Sequence, residues 1–260
     1  MAIAVLGLGF GACSSDVGNG ASQATSTTTS TTASTATSTA ASTVATAVSR
    51  ADPAVTALAS AVDVHAMGCR TVDVRGAGSL IDGNHILTAA HVVSGADSIT
   101  VRSAAAGAAT VAAHLVAIDA VHDLALLDVD LSHLTELRPV ALADGGAAEA
   151  GDAGVAVLFR DDAAIVVPYT IAKPVVVRIL DIHHENKVSR PGYAVDIEIA
   201  AGDSGAVMVA DDGRAVGVLY AKSREAESRA FASDTSAVTA LLTAAAAADP
   251  AVGIDTGECV

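Results

Sequence analysis

Three short segments of this 260-residue chain carry the side-chain types that nucleophilic catalysis requires. Ser204 lies in a Gly-Asp-Ser-Gly turn between two apolar runs, where glycines let the backbone approach a substrate closely. His91 ends the apolar run 86–90, and Asp123 begins the run 124–127. A serine hydroxyl is a poor nucleophile until a histidine takes its proton and a carboxylate orients that histidine. The order His, Asp, Ser therefore predicts acyl transfer by a triad.

Each of these residues also has a plainer alternative in the sequence alone. Ser204 fits equally well as a turn serine in a hairpin, and a histidine at the end of an apolar run is usually structural. The chain has eight histidines, so residue type by itself selects none of them. Asp119, Asp128 and Asp130 compete with Asp123 for the role of orienting carboxylate. The assignment therefore depends on the three motifs taken together.

In this order and at these separations, the motifs resemble those of the trypsin-like (chymotrypsin-fold) serine proteases. The resemblance covers about residues 65–245. The matching motifs are Leu-Thr-Ala-Ala-His at 87–91, Asp-Leu-Ala-Leu-Leu at 123–127 and Gly-Asp-Ser-Gly at 202–205. The resemblance implies that Ser204 is the nucleophile, that His91 is the general base, and that Asp123 orients His91.

The same resemblance implies the accessory groups of the site. The backbone N–H groups of Gly202 and Ser204 are expected to form the oxyanion hole that stabilises the tetrahedral intermediate. No Ile-Val-Gly-Gly-like activation site precedes His91, so we expect activity without proteolytic activation, with Asp203 paired to another donor or solvated. Val92, where many relatives have cysteine, places the sequence nearest to bacterial HtrA-like and trypsin-like peptidase domains without a PDZ domain.

The substrate pocket is the least defined part of the predicted site. Glu198, six residues before Ser204, matches the position at the pocket base in trypsin-like enzymes, where an acid favours Lys or Arg in substrates. Gly217 and Tyr220 lie in a segment expected to form one pocket wall. The alternation of residues 195–199 equally suits a solvated strand face for Glu198.

The elements that must position these residues are predicted to be short strands. Apolar runs separated by turn residues recur from about residue 62 to 221, with a hairpin signal at Asp82-Gly83. Many short strands favour an all-β fold. An Ala- and Leu-rich stretch at about 235–248 predicts a C-terminal helix.

The resemblance implies two antiparallel six-stranded β-barrels of the chymotrypsin type. We place the first barrel at about 62–145 and the second at about 150–230. His91 and Asp123 then belong to the first barrel and Ser204 to the second. The three side chains are expected to meet in a cleft between the barrels.

Composition limits the partners and the core. The formal net charge is −15 and no basic stripe is present, which excludes nucleic-acid binding because clustered Lys and Arg are needed to displace counterions. Aromatic residues make up only 2% of the chain and Trp is absent. The core must therefore be built from Val, Leu, Ile and Ala.

The N-terminal fifth differs from the rest of the chain. Residues 1–13 are apolar and predict an export leader, in which Gly-Ala-Cys resembles a bacterial lipoprotein cleavage box with Cys13 as the lipidated residue. The alternative is a plain signal fragment with an unused thiol. Residues 14–50 are a Ser, Thr and Ala array, which predicts a disordered linker before a peptidase domain at 51–260.

Two cysteines remain near the ends of the folded region. In an exported chain, Cys69 and Cys259 are best interpreted as a disulfide. The alternative is two unrelated buried thiols.

The sequence thus predicts an exported, membrane-tethered serine endopeptidase that acts on polypeptides. The resemblance implies no metal or organic cofactor, and His183-His184-Glu185 lacks the helical spacing of a zinc protease site. The alternative is a non-catalytic cell-surface protein that binds peptides or an envelope partner on the same fold. The sequence predicts neither the oligomeric state nor the physiological substrate.

Overall fold

The structure is a computed structural model that describes residues 52–68, 72–248 and 254. Within these ranges, twelve strands form two closed six-stranded barrels in which all strand pairs are antiparallel. The two barrels and a C-terminal helix confirm the predicted fold class. The predicted leader, with Cys13, and the predicted linker lie outside the described residues. Cys69 and Cys259, the predicted disulfide partners, also lie outside them.

The first barrel contains six strands: β1 (Ala61–Met67), β2 (Val74–Leu80), β3 (His85–Thr88), β4 (Ser98–Ser103), β5 (Thr110–Asp119) and β6 (Leu124–Val129). Their spatial order is β1-β2-β3-β6-β5-β4. The predicted turn between β2 and β3 is fixed by Asp82, whose Oδ1 accepts hydrogen bonds from His85 N at 3.2 Å and His85 Nδ1 at 2.8 Å. Val, Leu, Ile and Ala fill the barrel, as the composition requires.

The second barrel contains six strands: β7 (Ala153–Arg160), β8 (Ala163–Leu180), β9 (Lys187–Asp196), β10 (Val207–Ala210), β11 (Ala215–Lys222) and β12 (Arg229–Asp234). Their spatial order is β10-β11-β12-β9-β8-β7. The long β8–β9 hairpin extends beyond its own barrel. At its tip Ile182 packs into the core of the first barrel, and Ile182 N donates to Ala120 O at 3.3 Å.

The described residues also form four helical segments: α1 (Pro53–Ser60), α2 (Ala90–Val93), a 3₁₀ turn (Leu131–His133) and α3 (Thr235–Ala247). Asp52 caps α1 by accepting from Ala54 N at 2.9 Å, and Asp234 caps α3 by accepting from Ser236 N at 2.8 Å. Among the described helices, none has the length and apolar character needed to cross a membrane.

A separate apolar cluster joins the two barrels. Leu87 and Leu126 of the first barrel pack with Val207 and Val209 of the second, and Leu241 of α3 closes the cluster. We call this cluster the seam. It buries the outward faces of both barrels, so that the two barrels share one continuous packed layer.

A charged cluster forms a second link between the barrels. The carboxylate of Asp63 on β1 is only 1% exposed, and its Oδ2 accepts from Arg75 Nη2 at 2.8 Å and from Arg102 Nη2 at 2.9 Å. Arg75 also donates to Asp162, in the β7–β8 turn, at 2.5 Å. Two guanidinium groups therefore neutralise a buried carboxylate through its Oδ2 atom and connect it to the second barrel.

The seam yields a test of packing. We expect Leu126→Ala to lower the free energy of unfolding by about 3 kcal/mol, because it leaves a cavity at a fully buried position. Val176→Ala is the control, since Val176 is 63% exposed and should change stability by less than about 0.5 kcal/mol. Urea unfolding measures both. Equal effects of the two substitutions would contradict a close-packed seam.

Candidate active site

His91 lies where β3 leaves the first barrel and turns into the short helix α2. Its Nδ1 is 2.8 Å from Asp123 Oδ2, and its main-chain N–H donates to Asp123 Oδ1 at 2.9 Å. An ionised carboxylate only accepts hydrogen bonds, so Nδ1 carries the proton of the neutral ring. Nε2 is then the nitrogen that is free to take a proton.

Asp123 is held in an unusual backbone conformation just before β6. Its φ is +59°, in the left-handed region that is sparsely populated by residues other than glycine. Burial of the carboxyl acts to raise the pKa of Asp123. The hydrogen bonds from the ring and the main-chain N–H of His91, together with the charge of Arg190, oppose burial, and the pKa of Asp123 lies below its usual value.

The three competing carboxylates are engaged elsewhere. Asp119 Oδ2 pairs with His122 Nδ1 at 2.7 Å. Asp128 accepts from Asn84, and Asp130 caps the 3₁₀ turn by accepting from Ser132 N at 2.9 Å. Among the described carboxylates, Asp123 is the one that bonds to His91.

Ser204 lies in the loop between β9 and β10, and strand β2 of the first barrel contacts it directly. Ala77 N donates to Ser204 O at 2.7 Å. A Cβ atom on Gly76 would lie 2.9 Å from Ser204 O and 2.7 Å from a methyl group of Val92, the neighbour of His91. Strand β2 therefore brings the serine turn of the second barrel and the histidine segment of the first barrel to the same place.

Glycine is required on both sides of this contact. Gly205 has a φ of +88°, and a Cβ atom there would lie 2.1 Å from Ala77 O and 2.5 Å from Thr88 Oγ1. Gly202 has a φ of +96° and no atom within 4 Å of the position that a Cβ atom would occupy. The turn is thus packed tightly against the first barrel at Gly205 and is open at Gly202.

Asp203 points away from the turn into the second barrel and is fully buried. Its Oδ2 accepts from Arg160 Nη2 at 2.8 Å and from Ala200 N at 2.7 Å. Arg160 Nη2 also donates to Glu198 O at 3.0 Å. A single guanidinium at the end of β7 therefore holds both the start and the end of the loop that leads to Ser204.

The predicted pocket residues differ in exposure. Glu198 is exposed, whereas Gly217 and Tyr220 on β11 are buried. A Cβ atom on Gly217 would lie 2.7 Å from Ser233 O, and the ring of Tyr220 lies 4.4 Å below the Arg190 guanidinium. Their assignment to a substrate pocket stays a prediction.

The sequence did not predict a role for two residues of the site region, Arg160 and Arg190. Arg160 ends the apolar strand β7 and Arg190 lies inside the mixed strand β9, and neither position is a strong sequence signal. Their partners Asp203 and Asp123 are distant in sequence. Only the closing of the two barrels brings these charges together.

The geometry agrees with the comparisons to known proteins. The family described as Trypsin-like peptidase domain matches residues 76–218, more than half of the chain. The chain belongs to the trypsin-like peptidases. The resemblance that the motifs carried is confirmed, and membership in this family supports a proteolytic function.

Solved structures show the same fold. The active form of the Rv3671c protease from M. tuberculosis is 26% identical, with a TM-score of 0.70 over 80% of this chain and 88% of that chain. The HtrA-type protease AlgW with a tripeptide is 21% identical, with a TM-score of 0.61 over 75% of this chain and 63% of that chain. The serine endoprotease from Yersinia pestis is 20% identical, with a TM-score of 0.59 over 75% and 66%. No curated protein matches the sequence.

The Arg160–Asp203 pair yields a stability prediction. We expect Arg160→Leu to lower the free energy of unfolding by about 2 kcal/mol, because it leaves a buried carboxylate without its cation, although water reaches part of the arginine. Arg229→Leu is the control, since Arg229 and Asp196 form a partly exposed pair that should contribute less than about 1 kcal/mol. Urea unfolding of both variants, compared with the unsubstituted chain, measures the difference. Similar losses would argue against a special role for Arg160.

The packing of Gly205 yields a second prediction. We expect Gly205→Ala to lower the free energy of unfolding by about 3–4 kcal/mol, since it combines backbone strain with a clash against Ala77 O. Gly146→Ala is the control for strain alone, because Gly146 has a φ of +72° and no atom near its Cβ position. We expect that control to lose about 1 kcal/mol. Thermal and urea unfolding measure the stability of both variants. Equal losses in the free energy of unfolding would contradict the close contact at Gly205.

Proposed function

We propose that this peptidase is a serine endopeptidase that hydrolyses peptide bonds through an acyl-enzyme on Ser204. The observation that supports the proposal is the double attachment of His91 to Asp123, through Nδ1 at 2.8 Å and through the main-chain N–H at 2.9 Å. It leaves Nε2 available as a base beside the strand that contacts the serine turn.

The chemistry follows from these groups. Ser204 Oγ attacks the substrate carbonyl while His91 Nε2 takes the hydroxyl proton, and the Asp123 carboxylate stabilises the imidazolium that results. The oxyanion accepts hydrogen bonds from the N–H groups of Gly202 and Ser204. His91 then gives the proton to the leaving amine as the C–N bond breaks, which leaves an ester on Ser204.

Water completes the cycle by the same route in reverse. His91 takes a proton from the water molecule that attacks the ester carbonyl, and it returns this proton to Ser204 Oγ as the ester bond breaks. The products are a carboxylic acid and the free enzyme. No group beyond the three side chains and the two amides is needed for this sequence of steps.

The pairing of Asp203 bears on activation. In zymogen-activated relatives the acid at this position pairs with a new N-terminus, whereas here Arg160 already donates to Asp203 at 2.8 Å. This internal donor supports a loop that is ordered without cleavage of the chain. We propose that the enzyme is active as synthesised.

The remaining predictions concern substrate and location. We propose polypeptide substrates, with Glu198, Gly217 and Tyr220 as the candidates that shape the primary pocket. We propose further that the enzyme is exported and tethered to the cell envelope by a lipid on Cys13. A disulfide between Cys69 and Cys259 would then join the two ends of the domain. Intact-mass analysis with and without reductant tests both modifications.

Labelling with a fluorophosphonate probe tests the proposed chemistry. We expect a covalent adduct in the unsubstituted protein, no adduct in Ser204→Ala, and a loss of at least about 10³-fold in labelling rate in His91→Ala, because the base that activates the hydroxyl is gone. We expect Asp123→Asn to lose a similar factor, since it favours the wrong tautomer of His91.

A second His–Asp pair in the same barrel supplies the matched control. His85 binds Asp82 through its main-chain N at 3.2 Å and Nδ1 at 2.8 Å, at the other end of β3. We expect His85→Ala and Asp82→Asn to label at the rate of the unsubstituted protein. Well-folded protein that does not label would favour the peptide-binding alternative, and equal losses at the two pairs would contradict the assignment of His91.

A further inference from the structure

Arg190 on β9 is a buried cation close to the proposed His–Asp pair. Its side chain is 2% exposed, although a guanidinium is costly to bury unless its charge and donors are matched. Nη1 lies 3.6 Å from Asp123 Oδ2, Nε donates to Val121 O at 2.8 Å, and the guanidinium lies 4.4 Å from the centre of the Tyr220 ring. The first two contacts are made to the segment that carries Asp123, and the third is to β11 of the second barrel.

We propose that Arg190 is a positioning residue that holds Asp123 in the conformation in which it binds His91. The inference rests on the proposed triad and adds to it a residue from the opposite barrel. It assigns Arg190 a role that the motifs of the sequence do not indicate.

The backbone before Asp123 shows how the positioning works. Three consecutive carbonyl groups, at residues 120, 121 and 122, each accept a hydrogen bond from the second barrel. The donors are Ile182 N to Ala120 O at 3.3 Å, Arg190 Nε to Val121 O at 2.8 Å and Ser233 Oγ to His122 O at 2.7 Å. The strained φ of +59° at Asp123 follows directly after this clamped segment. Such strain persists only where surrounding contacts over-determine it.

The distances also separate the roles of His91 and Arg190 at the Asp123 carboxylate. His91 Nδ1 lies at 2.8 Å from Asp123 Oδ2 and makes the hydrogen bond, whereas Arg190 Nη1, at 3.6 Å, contributes charge without displacing it. A positive charge this close favours the ionised carboxylate and opposes the uptake of a proton by the pair. Arg190 thus keeps the carboxylate available as an acceptor for His91.

Arginine suits this position better than lysine. Its planar guanidinium can donate from Nε to a carbonyl, direct Nη1 toward a carboxylate and place its face on an aromatic ring at the same time. A lysine ammonium has no planar face and only one nitrogen. Lysine at position 190 should therefore keep the charge and lose part of the geometry.

Other ionisable groups lie on the segments that pack around Arg190 and Asp123. They are His91 on α2, Asp119, His122 and Asp123 before β6, Asp181 and His183 at the hairpin tip, Tyr220 on β11 and Asp234 at the end of β12. Among the described residues, Asp123 is the one with which Arg190 forms an ion pair. Burial raises the pKa of Tyr220 to about 12, so the tyrosine stays neutral over the pH range of an assay.

The test compares Arg190→Met with Arg190→Lys, and Arg229→Met serves as the control, since Arg229 pairs with Asp196 at the surface of the same barrel. We expect kcat/KM for a peptide substrate to fall about 100-fold in Arg190→Met, mainly through kcat, because Asp123 is misplaced. We expect the acidic limb of the pH profile to move to higher pH by about one pH unit. Arg190→Lys should keep the acidic limb of the pH profile at its position in the unsubstituted protein and should retain part of kcat/KM. Arg229→Met should change neither quantity.

A second measurement is independent of activity. In the Ser204→Ala background, NMR titration of the His91 ring should show a midpoint about one unit higher in Arg190→Met than in the unsubstituted protein. His91→Ala identifies the resonance. If Arg190→Met does not fold, the same titration is carried out on Arg190→Lys and Arg190→Gln. A midpoint that is raised in Arg190→Gln and unchanged in Arg190→Lys supports the proposal, and equal midpoints in the two variants contradict it.

The outcomes distinguish this inference from the proposed function. A folded Arg190→Met with unchanged kcat/KM and unchanged titration would overturn the role of Arg190, as would a lower rate with no movement of the acidic limb or midpoint. Absence of fluorophosphonate labelling in the unsubstituted protein would instead overturn the proposed function. The NMR midpoint would still decide whether Arg190 acts on the His91–Asp123 pair.

Discussion

The hydrogen bond from Ala77 N to Ser204 O, at 2.7 Å, is the contact on which the geometry of the site depends. It joins the serine turn of the second barrel to strand β2 of the first, and a glycine at position 205 is what allows the two backbones to come so close. The dependence is reciprocal, because Arg190 and Ser233 of the second barrel hold carbonyl groups just before Asp123. Each barrel therefore fixes the turn of the other that carries a residue of the proposed triad.

Buried charge is the second constraint on this architecture. The chain has 29 acidic and 14 basic residues, yet five of the described aspartates are buried. Three of these five meet at least one arginine: Asp63 meets Arg75 and Arg102, Asp123 meets Arg190, and Asp203 meets Arg160. The other two, Asp181 and Asp234, accept hydrogen bonds from main-chain N–H groups. Scarce cations are thus used where burial would otherwise protonate or expel a carboxylate.

The sequence predicted the elements whose signals are local and missed those that depend on closing the barrels. The turn at Asp82, the helix α3 and the motif around His91 all depend on neighbouring residues, so composition and order were enough to predict them. The choice of Asp123 over Asp119 rested on the motif, and the structure gives Asp119 a different partner, His122. Arg160 and Arg190 could not be found in this way, because no local pattern identifies the partner of an arginine in a strand.

The low aromatic content explains why backbone contacts carry so much of the site. Aliphatic side chains make up most of the core, so few aromatic groups are available to brace a turn at a distance, and the turns are held by direct hydrogen bonds between the barrels. These bonds, from Ala77 to Ser204 and from Arg190 to Val121, lie outside the strand pairs of either barrel. A small opening of the seam would therefore break the site while leaving every strand pair intact. Activity is then more sensitive than secondary structure to anything that loosens the barrels from each other.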